Sequence, residues 1–222
     1  MAETLDNDFI FLHLTKYGDS SLILHGYSAL EGRCSYLMRG AGKKGKNINL
    51  FYPLNILSLD TSGKGQGLHF IKNYSAKYRL DSLRTNIYKC SIGLFIAEVL
   101  YRAVQTNEYN KEFFKFLENS IVLFDNLNGD FSNFHLWFMV KLCSYLGYYP
   151  DKQTLEDYNP FNTADMEILN SFLNFEFSNA MMLSLSGERR YAFAEKMIKF
   201  LGYHLGMNLD IKSLSILHKV MK

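Results

Sequence analysis

Residues 9–39 read FIFLHLTKYGDSSLILHGYSALEGRCSYLMR, and this stretch decides how the chain begins to fold. Runs rich in aromatic and branched aliphatic residues alternate in it with turn-forming Gly, Asp, Ser and Glu residues. Such alternation is typical of short antiparallel strands joined by tight turns. The predicted strands are Phe9–Leu14, Leu22–Ser28 and Arg33–Arg39.

Two further runs bring the number of predicted strands to five. Leu50–Leu59 is β-like, with Pro53 marking an edge or a bend. A loop at Thr61–Gly67 leads to the last run, Leu68–Tyr74. Five strands in about 70 residues is the number in a small closed barrel of the OB type. A five-stranded SH3-like barrel has the same pattern, so the pattern leaves both barrels open.

From about residue 80 the apolar residues follow the period of a helix. One helical face is formed by Ile92, Phe95, Ile96, Val99 and Ala103. A second face is formed by Phe113, Phe116, Leu117, Ile121 and Phe124. The next segment, Phe134–Leu146, is apolar nearly all round, which predicts a central, buried helix. Asn133 is a candidate N-cap for it, and Gly147 and Pro150 are stop signals.

The C-terminal third of the chain predicts one loop and two helices. Asp151–Thr163 is polar and contains Pro160, which is typical of a loop. A late helix ends at Gly206, and its apolar face is formed by Tyr191, Ala194, Ile198, Leu201 and Leu205. A short final helix is predicted at Lys212–Met221. The sequence therefore predicts an α+β protein, with a five-stranded barrel domain over residues 1–80 and an all-α helical domain over residues 81–222.

The charge of the chain is distributed unevenly between these two parts. The 222 residues carry a net charge of +2, and 48% of them are hydrophobic, as expected of a folded protein. Residues 1–80 contain 10 Lys/Arg and 6 Asp/Glu, whereas residues 81–222 contain 14 and 16. No acidic residue lies between Glu31 and Asp60. The basic excess is either a solvated surface or a site for a polyanion.

The residues that carry this excess are arranged as nucleic-acid-binding residues would be. Arg33 and Arg39 are six residues apart on one strand, so they share a face and lie ~20 Å apart. Cys34, Tyr36 and Met38 are predicted to point the other way, inward. The Gly/Lys loop that follows adds mobile cations suited to phosphate oxygens. The predicted contacts are Arg33, Arg39, Lys43, Lys44, Lys46, Lys16 and Lys72. Tyr17 and Tyr27 are candidates for stacking on bases.

The sequence indicates neither an enzyme nor a metal or cofactor site. Gly40–Lys46 fits the first part of a P-loop, but Asn47 replaces the Ser or Thr that should hold Mg²⁺, and the next run is β-like. Cys34, Cys90 and Cys143 form no CxxC pair, and no HExxH or GxSxG motif occurs. We therefore expect a non-enzymatic protein without cofactors, and we expect the cysteines to be small buried residues.

The N-terminus and the apolar runs bear on where the protein is found. Met1–Asp8 is acidic and polar, unlike a secretory signal peptide. No apolar run approaches the ~20 residues that a membrane-spanning helix needs. These features predict a cytoplasmic protein.

Six segments, in this order, resemble the bacterial recombination and repair mediator family RecO. They are HLTKYGDSSLIL (13–24), GRCSYLMRGAGKKGK (32–46), LFYPLNILSLD (50–60), LFIAEVLYRAV (94–104), NFHLWFMVKLCSYLGYYP (133–150) and DIKSLSILHKVM (210–221). The resemblance covers almost the whole chain and is weakest over residues 151–187. Many members carry a four-cysteine zinc cluster after the Gly-x-x-Pro that matches Gly147–Pro150. Asp151–Thr163 contains no cysteine, so this chain is expected to lack zinc.

The resemblance implies an OB-type barrel packed on a helical domain, and it implies a set of partners. The protein would bind single- and double-stranded DNA, anneal complementary strands and engage the C-terminal tail of single-stranded-DNA-binding protein. With RecR, and in some bacteria RecF, it would help to load RecA, and it would be associated with the nucleoid. The alternative is a helical protein-interaction module whose basic barrel is structural or docks an acidic protein partner.

Overall fold

The computed structural model describes residues 6–40, 47–62, 69–105 and 109–222. Its N-terminal part contains five strands. They are β1 (Asp6–Tyr17), β2 (Ser21–Ser28), β3 (Gly32–Arg39), β4 (Ile56–Ser62) and β5 (His69–Ala76). Tight turns join the first three strands, and Gly18 and Gly32 adopt positive φ angles in or beside these turns. L side chains disfavour this backbone conformation and glycine does not.

The strands form a closed barrel in the order β1-β2-β3-β5-β4, with β4 paired to β1. All neighbours are antiparallel except β3 and β5, which pair in parallel through Tyr36–His69 and Leu37–Phe70. This Greek-key order confirms the OB-type barrel and decides between the two barrels that the sequence pattern allowed.

The interior of the barrel follows the alternation expected of strands. Tyr36 and Met38 point inward from β3 and are fully buried, as predicted, while Cys34 is only partly buried beside them. Gly26 on β2 lies beneath the Phe9 ring, where a Cβ atom would come within 2.4 Å of the ring. The barrel therefore closes around Phe9 only because this position of β2 has no side chain.

The predicted strand Leu50–Leu59 is wrong in its first half. Ile48–Leu50 forms a short 3-10 helix, and β4 begins only at Ile56. The side-chain amide of Asn55 donates a hydrogen bond of 2.7 Å to the Leu50 carbonyl, which closes the turn between them. Leu54 adopts a φ of 65° in this turn, and its side chain is buried in the core that the barrel shares with the helices.

Nine helices lie in the part of residues 77–222 that the structure describes. They are α1 (Asp81–Thr85), α2 (Ile87–Ala103), α3 (Lys111–Asn126), α4 (Phe134–Tyr145), α5 (Lys152–Asp157), α6 (Thr163–Asn174), α7 (Phe177–Met181), α8 (Gly187–His204) and α9 (Ser213–Val220). The predicted helices near residues 92–103, 113–124, 134–146, 191–205 and 212–221 are confirmed. Helix α4 is central, since it packs on α2, α3, α6, α7 and α8.

Residues 151–174 differ from their prediction. The expected loop Asp151–Thr163 contains α5, which begins with a capping box between Asp151 and Thr154, and the unpredicted helix α6 follows it. Asp165, at the start of α6, is fully buried and forms ion pairs with Arg189 and Lys196 of α8. These elements are held by caps and ion pairs, which apolar periodicity does not reveal.

Asn133 precedes α4 as predicted, but its side chain does not cap that helix. Its amide instead donates hydrogen bonds to the carbonyls of Met181, at 3.1 Å, and Leu183, at 2.7 Å. The predicted cap is therefore wrong, and the side chain holds the end of α7 against α4. Gly147, with a φ of 85°, follows the end of α4 as expected.

Part of the barrel packs into the apolar core of the helical domain, separately from the barrel's own interior. Ile10, Tyr27 and Ile56 belong to the same buried cluster as the helices. The ring of Tyr27 meets the ring of Phe113 on α3 edge to face, with centroids 5.1 Å apart. One end of the outward face of the barrel is therefore covered by helices, which limits where a ligand can bind.

Candidate nucleic-acid interface

The outward face of β1, β2 and β3 consists of rows of residues paired across the strands. At its open end, Arg39 pairs with Ser21, and Ser21 pairs with Tyr17. At its other end, Arg33 pairs with Tyr27, which is packed on α3. Arg33 and Arg39 thus lie on a common face, but only Arg39 lies at the end that the helices leave open.

Arg39 is the best-placed cation on this face. Its side chain is exposed, and its guanidinium carbon lies 4.2 Å from the centroid of the Phe70 ring on β5. A cation held over an aromatic face is oriented without being neutralised, so it keeps its charge for a ligand. Tyr17, in the same row, is 57% exposed and accessible for stacking. Tyr27 is 2% exposed, so the expectation that it stacks on bases is wrong.

The predicted lysines fall into two groups. Lys16, near the end of β1, and Lys72, on β5, are both exposed, as a phosphate contact requires. Lys43, Lys44 and Lys46 lie outside the described residues. Gly40, the last described residue before them, directly follows Arg39 at the open end of the face.

Arg33 is placed differently from Arg39. Its Nη1 atom donates hydrogen bonds to the backbone carbonyls of Tyr101, at 2.5 Å, and Val104, at 3.2 Å. The guanidinium carbon also lies 4.4 Å from the centroid of the Tyr101 ring. Burial lowers the pKa of this guanidinium. The charge of Arg33 is therefore directed at the end of α2 and not along the open face.

Two histidines lie between Arg33 and the open end. His25 makes hydrogen-bond contacts with Ser35 Oγ, at 2.7 Å, and with Thr15 Oγ1, at 3.0 Å. Its ring and the ring of His13 both contact Tyr101, with centroids 5.5 and 4.7 Å away. Burial lowers the pKa of both imidazoles, so they are mainly uncharged at neutral pH.

Sequence reasoning missed two grooves. The first, of about 450 Å³, lies at the junction of the barrel and the helices. It is lined by Arg33, Tyr101, Arg102, Gln105, Met207, Asn208 and Leu209. Arg102 places a further cation here, partly offset by Glu98 at 3.5 Å. No pattern marks this residue, because a charged residue on a helix usually indicates only a solvated face.

The second groove, of about 650 Å³, lies between α8 and α9. Its apolar lining includes Tyr191, Ile198 and Leu214, and its charged residues are Lys199, Lys212, Glu195 and Asp210. Met207, Asn208 and Leu209 line both grooves, so the two are continuous. The groove depends on the packing of α8 and α9, which their separate sequences do not reveal.

The structure also bears on four other possibilities, which are a metal site, a reactive cysteine, a P-loop and a membrane-spanning helix. Among the described residues, no group of three or more His, Cys, Asp and Glu side chains could hold a metal ion. Burial raises the pKa of Cys34 and Cys143 to about 12. A 3-10 helix and β4 follow Asn47, where a P-loop would begin an α-helix. Within the described ranges, no helix is long and apolar enough to cross a membrane.

Comparison with known proteins identifies the family. The model of the N-terminal domain of recombination protein O matches residues 1–78, and that of its C-terminal domain matches residues 84–154. Together the two matches cover more than half of the chain. The chain belongs to the RecO family. As a member of this family, the chain has a role in DNA repair and recombination.

Several curated relatives bear the name DNA repair protein RecO. The relative from Bacteroides fragilis is 34% identical over 160 residues, which are 71% of this chain and 65% of the relative. The relative from Christiangramia forsetii is 27% identical over 232 residues, which are 95% and 96% of the two chains. That from Porphyromonas gingivalis is 36% identical over 149 residues, or 65% and 61%. The match to the C-terminal domain model ends at residue 154 of this chain, before α8 and α9 begin.

Proposed function

We propose that this chain is a non-enzymatic recombination mediator of the cytoplasm and nucleoid. It binds single- and double-stranded DNA through the open face of its barrel and anneals complementary strands. It also helps to load RecA onto DNA coated with single-stranded-DNA-binding protein. The observation that carries this proposal is the position of Arg39. Its exposed guanidinium lies over Phe70, at the end of the barrel where the Gly/Lys loop begins.

The proposed contacts are cations that reach phosphates from the barrel. They are Arg39, Lys16, Lys72, Lys43, Lys44 and Lys46. Contacts to phosphate oxygens hold a strand without using the edges of its bases, so the bases stay available for pairing. Annealing by such a protein needs no nucleotide hydrolysis. Arg33 is left out of this set because its guanidinium is engaged with α2.

The salt dependence of DNA binding tests these contacts. Each phosphate contact removed lowers the log–log salt slope for single-stranded DNA by about 0.7. We expect Arg39→Ala, and the pair Lys43→Ala with Lys46→Ala, to weaken binding and to reduce this slope. Lys152→Ala, on α5 and 91% exposed, is the control and should change neither quantity. If the barrel variants leave affinity and slope unchanged, DNA does not bind on this face.

A strand-annealing assay tests the mediator activity itself. Complementary strands coated with single-stranded-DNA-binding protein should anneal when the protein is added without ATP. Addition of RecR, and of RecF in bacteria that use it, should then promote the loading of RecA. If the protein neither binds nor anneals these strands, the mediator function is wrong.

A second candidate function is favoured by the groove between α8 and α9. Its apolar lining and its two lysines suit a short peptide with apolar and acidic residues, such as the tail of single-stranded-DNA-binding protein. In this alternative the helical domain carries the function and the barrel is structural. Lys199→Ala with Lys212→Ala should weaken binding of the tail peptide and leave DNA binding unchanged. The barrel variant Arg39→Ala should leave binding of the tail peptide unchanged.

A further inference from the structure

Arg33 reaches out of the barrel and binds the end of a helix. Helix α2 ends at Ala103, and the last carbonyls of a helix have no partner within it. Arg33 Nη1 donates to the carbonyl of Tyr101, in this last turn, and to that of Val104, which directly follows the helix. A cation at this position also lies at the negative end of the helix dipole. Arg33 therefore acts as a C-terminal cap that is supplied from another domain.

The Tyr101 ring completes this contact. Three barrel side chains surround it, and they come from three different strands: Arg33 of β3, His13 of β1 and His25 of β2. Ser35 and Thr15 hold the His25 ring in place through hydrogen bonds. The barrel thus contacts the end of α2 through backbone carbonyls and through the side chain of Tyr101.

We propose that Arg33 is a positioning residue that fixes the barrel on α2 and does not contact DNA. With its guanidinium on Tyr101, the open face of the barrel and the helical domain keep one relative orientation. A DNA strand held by Arg39 then has a constant relation to the junction groove beside Arg102. This proposal rests on the proposed function only where it concerns DNA, since the contact itself can be tested without DNA.

The geometry distinguishes Arg33 from a phosphate contact. To reach a phosphate, its guanidinium would have to give up both carbonyls and the face of Tyr101. Unpaired carbonyls at a partly buried helix end are costly, so the guanidinium stays where it is. Arg39, on the same strand and the same face, has no such tie to α2 and serves as the matched comparison.

Amide hydrogen exchange of the full-length protein tests the contact without DNA. In Arg33→Ala the strands β1, β2 and β3 should exchange roughly tenfold faster or more, as expected when hydrogen bonds from a charged group are lost. Peptides from α4 should change much less. In Arg39→Ala all of these peptides should exchange as in the unsubstituted protein. Equal exchange in Arg33→Ala and Arg39→Ala would overturn the proposal.

Arg33→Lys keeps the protein testable if Arg33→Ala does not fold. A lysine retains the charge but lacks the planar fork that reaches two carbonyls while lying over a ring. We expect Arg33→Lys to accelerate exchange of the same strands to a smaller extent than Arg33→Ala. If Arg33→Lys exchanges like the unsubstituted protein, a positive charge alone suffices, and the contacts of the guanidinium with two carbonyls and the Tyr101 ring do not hold the barrel on α2.

DNA binding and annealing provide a further readout, because they distinguish a positioning residue from a residue that contacts DNA. Arg33→Ala should keep the salt slope for single-stranded DNA, whereas Arg39→Ala should lower it by about 0.7. The annealing rate at saturating protein should nevertheless fall in Arg33→Ala. A slope lowered by about 0.7 in Arg33→Ala, with unchanged exchange, would make Arg33 a DNA contact. If the unsubstituted protein binds no DNA, the proposed function fails, and the exchange experiment still decides the role of Arg33.

Discussion

Gly26 lies directly beneath the Phe9 ring, and a Cβ atom on Gly26 would come within 2.4 Å of that ring and 2.2 Å of the Ile10 carbonyl oxygen. Both partners belong to the core of the protein, and the carbonyl is part of the backbone, so neither can move freely. The close approach of β1 and β2 at this point thus requires a glycine.

Gly26→Ala should destabilise the barrel. Overpacking of a well-packed core typically costs about 1–3 kcal/mol, and a clash with the backbone places this case at the upper end. Urea unfolding followed by circular dichroism measures the change. Gly129→Ala is the control, because a Cβ atom there would meet nothing within 4 Å. If both variants unfold at the same urea concentration, the packing of Phe9 on Gly26 is wrong.

Lys77→Met should weaken the junction between the two domains. Lys77 Nζ lies 2.6 Å from a carboxylate oxygen of Asp8 on β1 and 2.6 Å from one of Glu118 on α3. The three side chains are partly shielded from water, with 16–29% of each exposed, so we expect a loss of about 1–2 kcal/mol in the free energy of unfolding. Lys152→Met is the matched control, because the Lys152–Glu156 pair is highly exposed and worth about 0–1 kcal/mol. Equal effects in the two variants would contradict this assignment.

His135 should make the protein less stable as the pH falls below neutrality. Burial, together with the nearby charge of Arg190, lowers the pKa of His135 from 6.5 to about 3. Below pH 6.5 the unfolded chain binds a proton here that the native protein does not bind, so acid favours unfolding. Each pH unit between these two pKa values costs about 1.4 kcal/mol.

The variant His135→Leu removes this titrating group from the same buried position. Between pH 7 and pH 5, the free energy of unfolding of the unsubstituted protein should fall by about 2 kcal/mol relative to that of His135→Leu. Denaturant titrations at several pH values measure it. A difference that does not vary with pH would show that His135 is not buried in its neutral form.

Asp165→Asn should loosen α6 from α8. Burial alone would raise the pKa of Asp165, but the hydrogen bonds from Lys196 and the Asn162 backbone, with the charge of Arg189, outweigh it and lower the pKa. Asp165 is therefore ionised in the native protein and stabilises it above its ordinary pKa of 3.8, and this contribution is lost as the pH falls through the lower native value.

We expect Asp165→Asn to cost about 1–3 kcal/mol at pH 7, as is typical of a lost hydrogen bond to a charged group. Thermal unfolding at pH 7 and at pH 3 measures the change, which should be smaller at pH 3. Asp157→Asn is the control, because Asp157 is exposed at the end of α5. A cost that is equal at the two pH values would indicate a packing defect and not a lost charge.

The patterns that were predicted correctly are local. The alternation of Cys34, Tyr36 and Met38, and the helical spacing from Ile92 to Ala103, depend on residues a few positions apart. Helix α6 was not predicted, because its position depends on Asp165 meeting side chains of α8 that lie more than twenty residues later. The grooves beside α8 and α9 could not be predicted for the same reason.

By itself the sequence determined the change from strands to helices near residue 80, the basic character of the barrel, the positions of most helices and, through the order of its segments, the family. These properties depend on composition and on periods of two or 3.6 residues, so they can be read along the chain. Only the tertiary structure decided that Arg33 and Arg39, equivalent in the sequence, have different surroundings. Arg33 meets carbonyls 68 and 71 residues away, and a contact over that separation exists only once α2 has packed on the barrel.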